Sequence, residues 1–364
     1  MLSSGLVWRR RLAALLVFAV AVVLIAIAGL RVFTGDSSSS SGAAARSAVA
    51  EPKPGDQPGG ESAQVSAEMA RFERALKRGV AEASALGGSV EAATMVDGWR
   101  DPLVESSVPG GESRYMRMWS MSKVATMIAL LRERGWGAQL GRATSLEVDE
   151  ALHGAIVRSE NCRQRRVVLE LEHFAGGAGG ARAALGDVLR DAGAEARIGS
   201  LVEAPESLCI PYLETQVETP DPLAPALLLG TSTWRVSDAV RFMNALASDA
   251  YGEILSDRVL DLMRAPKLPS REVAEGELTA PLDWGAGSAF AGLDPAYKAG
   301  WGGVLNGDFM AGQIALVTLP NGRRLSVAAM FHPDAQPSRD DPGITAAPRA
   351  IEMVMRSLRE AAPG

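Results

Sequence analysis

The sequence predicts an α+β fold: an antiparallel sheet flanked by helices, with an all-α lobe inserted between strands from the two chain ends. Three observations carry this expectation. Apolar residues recur every three or four positions in an early segment and through a long middle stretch. Short runs of strand character follow the first helical segment. The period then changes near residue 297, where strand-like runs return before a last helical segment.

The elements follow in order. Val65, Met69, Phe72, Leu76 and Val80 place an amphipathic helix over Ala63–Ala83. Ser89–Val96 reads as a strand and Leu103–Ser107 as its partner. Met121–Arg134 is helical, with Val124, Met127, Ile128 and Leu131 on one face. Helices continue over Leu146–Arg158, Arg163–Phe174 and Ala181–Ala192. Ser232 or Thr233 is expected to cap a helix through Ala247, and another runs from Ile254 to Met263. Tyr297–Trp301, Phe309–Leu319 and Arg324–Phe331 read as strands, with a hairpin turn at Asn321-Gly322. A helix over Ile344–Ala361 closes the chain. Strands from both ends can pair in one sheet, and a ligand cleft is expected between sheet and helical lobe.

The 364 residues carry 37 Lys+Arg and 43 Asp+Glu, a net charge of −6. That balance argues against nucleic-acid binding, which draws on excess basic charge. Apolar residues make up 47% and charged residues 22%, so most of the chain can bury a core. Two cysteines are too few for a disulfide scaffold or a four-cysteine zinc site. His153, His173 and His332 show no metal-ligand spacing. The glycine run Gly176–Gly180 lies between helices rather than after a strand, and reads as a connector, not a phosphate loop. No metal or nucleotide cofactor is expected.

Leu12–Leu30 carries no charge and follows Arg9, Arg10 and Arg11. As a helix it would cover about 28 Å, close to a bilayer's hydrocarbon thickness. Residues 1–11 would stay in the cytoplasm and the rest would lie outside. A transmembrane anchor over 12–30 and a cleaved signal peptide both remain open, since Ala26-Ile27-Ala28 offers a cleavage site. Residues 31–62, rich in Ser, Pro and Gly, read as a flexible spacer. The exported domain is expected over 63–364.

Ser120-Met121-Ser122-Lys123 opens the predicted Met121 helix. Spacing i,i+3 puts Lys123 on the face of Ser120. A hydroxyl nucleophile needs a base, and a lysine serves when burial and nearby cations lower its pKa. Alone the spacing also fits a serine cap and a solvated lysine. Ser159-Glu160-Asn161 can line a cleft wall, or simply form a polar turn. Lys298-Ala299-Gly300, followed by Trp301-Gly302-Gly303, lies on a predicted strand. There Gly300 permits close backbone approach, although an edge strand with a protective Lys has the same pattern. Trp284 and Trp301 suit either the cleft or the core.

In this order the three elements resemble the penicillin-recognising serine hydrolases: serine β-lactamases, class A above all, and low-molecular-mass penicillin-binding DD-peptidases. Their signature is Ser-x-x-Lys, Ser-x-Asn and Lys-Thr-Gly. The resemblance runs from Ala63 to the C-terminus and includes Tyr115–Trp119 and Thr231–Trp234. It implies a β-lactamase/transpeptidase-like fold and an acyl-enzyme on Ser120. Lys123 would be the base, and Ser159 the proton relay to the leaving nitrogen. Asn161 would position the substrate amide. Lys298 would attract a substrate carboxylate and help keep Lys123 neutral. The backbone N–H groups of Ser120 and Trp301 would form the oxyanion hole, worth roughly 3–4 kcal/mol of barrier each.

The chain departs from that pattern. Ala299 removes the hydroxyl used on a substrate carboxylate, and Glu160 replaces Asp. Only 39 residues separate Ser120 from Ser159, which suggests a trimmed lobe. The class A deacylation loop, Glu-x-x-Leu-Asn, aligns on Leu208 with Pro205 and Cys209 in place of Glu and Asn. Glu203 and Glu206 lack the right spacing. The resemblance also implies a Cys162–Cys209 disulfide, worth roughly 4 kcal/mol by chain entropy. The expected activity is that of a membrane-anchored serine acyl hydrolase acting on β-lactam or peptidoglycan-like amides. The other reading is a catalytically weak cell-wall binding or β-lactam-sensing module of the same fold.

Overall fold

The computed structural model describes residues 59–110, 113–135, 146–198, 232–268, 284–302, 309–335 and 346–363. All belong to one compact unit, Pro58–Gly364. Among the described residues no helix is long and apolar enough to cross a membrane. The Leu12–Leu30 run and residues 31–58 of the expected 31–62 spacer lie outside them, while residues 59–62 are helical and belong to a helix that begins at Gly59 rather than to a spacer.

The period-two segments form a five-stranded sheet in the order β2-β1-β8-β7-β6. The strands are β1 (Gly88–Val96), β2 (Leu103–Ser106), β6 (Ala296–Gly302), β7 (Met310–Thr318) and β8 (Arg324–Pro333). Every pairing is antiparallel. β1 meets β8 in the register Val90↔Phe331 and Ala92↔Ala329, so the two chain ends share the middle of the sheet. Consecutive residues of β1, β7 and β8 are buried, as befits strands covered on both faces. Gly322 takes φ +81° in the β7–β8 turn, but Asn321 does not share the positive φ, so the connection is a turn at the expected place without the two-residue geometry that Asn-Gly favours.

Helix α1 (Gly59–Ser84) and α9 (Ala346–Ala361) pack on each other and on the sheet. They approach closely where α1 has no side chain: a Cβ on Gly79 would meet Val354 and Ser357 at 3.0 Å. Phe72, Leu76 and Val80 form the buried stripe of α1, and Phe72 packs edge-on against Trp99 at 5.6 Å. Helix α6 (Val236–Ala247) packs on β1, β7 and β8.

The helical lobe holds α2 (Ser122–Glu133), α3 (Leu146–Ile156), α4 (Asn161–Phe174), α5 (Ala178–Asp191) and α7 (Glu253–Arg264). Ten consecutive residues of α2, Ser122 to Leu131, are buried, so this helix is the centre of the lobe. A four-residue helix, α8, spans Ala286–Ala289.

Two local expectations are corrected. Ala178–Gly180 belong to α5, so the connector is only Ala175–Gly177, with Gly176 and Gly177 at φ +78° and +112°. Gly180 lies so near the Ala175 carbonyl that a Cβ would overlap it, and packing at this corner overrides glycine's poor helix propensity. Ser232 and Thr233 do not cap α6. Thr233–Trp234 form β5, between β3 (Met116–Arg117) and β4 (Ala196–Arg197) in a small second sheet. The α6 N-terminus is closed from within, where the Asp238 carboxylate accepts the Arg235 N–H at 3.2 Å.

Phe72 is fully buried at the junction of α1 and Trp99. Phe72→Ala is expected to cost about 3–5 kcal/mol, read as a lower midpoint in urea unfolding.

Candidate active site

Ser120 sits in a single 3₁₀ turn, Trp119–Met121, that leads into α2. Trp119 precedes it at φ +43°, a left-handed conformation a bulky residue rarely adopts. The turn is held on several sides. Met118 N–H donates to Ser232 O at 2.9 Å. Ser122 Oγ donates to Trp119 O at 2.7 Å. Arg117 lies over the Trp119 ring at 5.6 Å.

Strand β6 runs beside this turn. Strand alternation sends residues 298, 300 and 302 to one face. Lys298 reaches Ser159, Gly300 faces the serine turn and Gly302 faces the Trp119 ring. A Cβ on Gly300 would stand 3.0 Å from Met118 O and Ser120 N. One on Gly302 would overlap the Trp119 ring at 2.5 Å. The two glycines thus let the strand backbone reach the backbone of the Ser120 turn.

Lys123 lies one turn beyond Ser120 and is 2% exposed. Its Nζ donates to Ser159 O at 2.6 Å and to Asn161 Oδ1 at 2.9 Å. Ser159 takes φ +56°, which turns its carbonyl to Lys123 while its hydroxyl meets Lys298. The Ser159 turn is fixed by Glu160, whose N–H donates to Gly154 O at 3.0 Å. The Glu160 carboxylate accepts two bonds from Arg158, at 2.8 and 3.2 Å, and lies 3.5 Å from Arg163. The middle residue of Ser-Glu-Asn therefore supports the turn. Gly154 leaves room for it, since a Cβ there would stand 2.7 Å from Glu160 Oε2. Asn161 is the first residue of α4, two positions earlier than the sequence pattern suggested. Gln164 Nε2 then donates to Thr126 Oγ1 at 3.1 Å, tying α4 to α2.

Lys298 Nζ donates to Ser159 Oγ at 2.8 Å and to Ala299 O at 2.9 Å. Burial pushes its pKa well below the usual lysine value, and the charges of Lys123 and Lys267 push the same way. Ile156, Val157, Ser159, Lys267, Trp284, Lys298, Ala299 and Trp301 line one cleft here. Trp284 is buried as well as lining it. Gln313 of β7 holds the Trp284 wall: its side chain donates to Trp284 O at 2.8 Å and accepts Ala286 N–H at 2.6 Å.

The structure thus gathers Ser120, Lys123, Ser159, Asn161, Lys298, Gly300 and Trp301 around one cleft and the turn beside it. Cys162 is disulfide-bonded. Cys209, the chain's other cysteine, lies outside the described residues, as do Glu203, Pro205, Glu206 and Leu208. Among the described residues no cluster of His, Cys, Asp or Glu could hold a metal ion. Sequence reasoning missed Lys267. It follows the predicted Ile254–Met263 helix in an Ala-Pro-Lys stretch with no motif around it, and only the return of the chain to β6 reveals its place.

Several solved structures share this architecture. PBP-A matches with a TM-score of 0.50 and 17% identity, covering 80% of this chain and 95% of its own. The TLA-1 extended-spectrum β-lactamase matches with a TM-score of 0.50 and 15% identity, covering 79% of this chain and 97% of its own. The chromosome-encoded β-lactamase of Vibrio parahaemolyticus matches with a TM-score of 0.50 and 13% identity, covering 77% and 96%. The fold is that of serine β-lactamases and penicillin-binding proteins. No protein-family model matches the sequence, and no curated protein does.

Two predictions follow from the geometry. Gly300→Ala forces the serine turn away from β6. It is expected to cost about 1–3 kcal/mol by overpacking, read as a lower midpoint in urea unfolding. The second concerns Lys267, which burial lowers to about 7 from an ordinary 10.5. Between those values the unfolded chain holds a proton that the folded chain lacks, so stability rises with pH across that window. At and below about pH 7 the full penalty is present. Lys267→Met is therefore expected to raise the melting temperature at neutral pH, with the gain shrinking as pH climbs toward 10.5.

Proposed function

We propose that this chain is an extracytoplasmic serine acyl hydrolase of the β-lactamase/penicillin-binding type, anchored by Leu12–Leu30 and acting on β-lactam or peptidoglycan-like amides. The observation that carries this reading is the seating of Lys123. Its amine is buried one turn beyond Ser120, and two of its N–H bonds go to Ser159 O and Asn161 Oδ1. An amine held one turn from Ser120 is placed to act as base for that hydroxyl when it is neutral.

In the reaction, Ser120 Oγ attacks the substrate carbonyl carbon as its proton passes to Lys123 Nζ. The carbonyl oxygen becomes an oxyanion held by the N–H groups of Ser120 and Trp301. Collapse breaks the C–N bond, and the proton taken up by Lys123 passes by way of Ser159 Oγ, itself bonded to Lys298, to the leaving nitrogen, which returns Lys123 to the neutral amine. Water then attacks the ester and frees Ser120. The Cys162–Cys209 disulfide would tie the start of α4 to the segment that replaces the class A deacylation loop. With Pro205 and Cys209 where that loop carries Glu and Asn, the ester is expected to turn over slowly. This favours a peptidase, an esterase or an acyl-trapping sensor over a fast lactamase. The Ala299 methyl in place of a hydroxyl supports a second reading, a module that binds or senses cell-wall ligands with little turnover.

Fluorescent penicillin tests the proposal. Covalent labelling is expected, lost in Ser120→Ala and slowed about 10²–10⁴-fold in Lys123→Ala. The label is expected to persist, with slow turnover of a chromogenic cephalosporin. Absence of labelling, together with no cleavage of acyl-D-Ala-D-Ala peptides, would overturn the hydrolase reading. Rapid cephalosporin turnover would overturn the claim of slow deacylation.

A further inference from the structure

The turn that carries Ser159 is held from behind by a group the reaction scheme does not use, the imidazole of His153. His153 lies in the last turn of α3 and is partly buried. Its Nδ1 stands 3.2 Å from Arg158 Nη1. A guanidinium only donates, so Nδ1 is the acceptor and the imidazole is neutral, with its proton on Nε2. Another edge of the same guanidinium grips the Glu160 carboxylate, from Nε at 2.8 Å and from Nη2 at 3.2 Å. His153 thus engages the nitrogen of Arg158 that Glu160 leaves open. The cluster is tightly packed: a Cβ on Gly154 would stand 2.9 Å from Arg158 Nη2 and 2.7 Å from Glu160 Oε2. Ser159 lies in the chain between these two paired residues, at φ +56°. Fixing their side chains therefore helps to fix a backbone that would not hold this conformation unaided.

We propose that His153 is a positioning residue: as a neutral acceptor it locks Arg158 onto Glu160, and through them it holds the Ser159 carbonyl on Lys123 and the Ser159 hydroxyl on Lys298. Those two bonds, at 2.6 and 2.8 Å, seat an amine on either side of the proposed proton path. The surroundings keep the ring uncharged. Burial first, then Arg158 from the turn, Arg258 from α7 and Lys267 beyond α7 hold its pKa below the ordinary 6.5, against the opposite pull of Glu160. Asp149 and Glu150, on its own helix, are turned to Arg258 and to Arg163 of α4. Lys123 of α2 is turned to Ser159. A proton on Nδ1 would set one N–H against another and release Arg158 on that side.

The inference rests on the acyl-enzyme reading for the reaction that the turn serves, and its first test needs no reaction. Magnetic resonance of the full-length chain, isotope-labelled at His and Lys, is expected to show His153 as the Nε2–H tautomer at neutral pH. His153→Leu, which cannot accept, is expected to shift the amine signals of Lys123 and Lys298. His153→Asn, whose Oδ1 takes the place of Nδ1 and does not titrate, is expected to restore them. Labelling by fluorescent penicillin is expected to slow about 10-fold in the Leu variant and no more than about 2-fold in the Asn variant. As pH falls, the unmutated chain is expected to lose labelling rate relative to the Asn variant, in step with the titration of His153. A role confined to packing α3 would lower the melting temperature of both variants and leave the amine signals and the rate ratio unmoved. That result, a proton on Nδ1 at neutral pH, or an Asn variant as impaired as the Leu variant would overturn the proposal. If the unmutated chain takes no label, the acyl-enzyme reading fails instead, and the tautomer and amine signals decide whether His153 seats the two lysines.

Discussion

Strand β6 and the turn of Ser120 come from distant parts of the sequence, and they meet backbone to backbone. Gly300 and Gly302 make that contact possible. With a side chain at either position, the strand would stand off from the turn or push it aside. Much else at the site depends on this contact. It sets the reach of Lys298 to Ser159, brings Ser120 N and the 300–301 peptide to one place, and closes the cleft against the Trp119 ring. The helical lobe supplies the opposing wall through the left-handed turn at Ser159, whose carbonyl and hydroxyl serve two different lysines.

Electrostatics at this junction runs against ordinary lysine chemistry. Lys298 is lowered by burial first and then by the charges of Lys123 and Lys267, and Lys267 is lowered by burial. Glu160, which follows Ser159 in the chain, is engaged by Arg158 and Arg163. Two of the amines at this junction, Lys298 and Lys267, are therefore harder to charge than an ordinary lysine.

Much of this was legible in the sequence. The helical stripe through Phe72 and Leu76, the strand runs of β1, β7 and β8, and the Asn-Gly turn are local signals, and the structure places them within a few residues of expectation. The three motifs gave most of the cleft because each lies beside an element boundary that periodicity locates. What was missed depends on long-range pairing. β3, β4 and β5 are two residues each and have no period to read; they exist because Met116, Ala196 and Trp234 meet in space. The α5 start was misplaced because a glycine run looks like a loop until Ala175 is packed against it. Lys267 carries no motif, and its role comes from burial, which one sequence does not display.

The pairing of β1 with β8 has a kinetic meaning. Gly88 lies opposite Pro333, so the middle of the sheet forms only after the chain has closed a very long loop around the whole helical lobe. Loop closure of this kind is slow relative to local helix formation. Strand β6 reaches the Ser120 turn as part of that same sheet. The lobe can therefore assemble Lys123 against Ser159 early, while Gly300 and Lys298 arrive with the last, least local contacts. A chain that is still folding would hold Ser120 without the strand that completes the cleft.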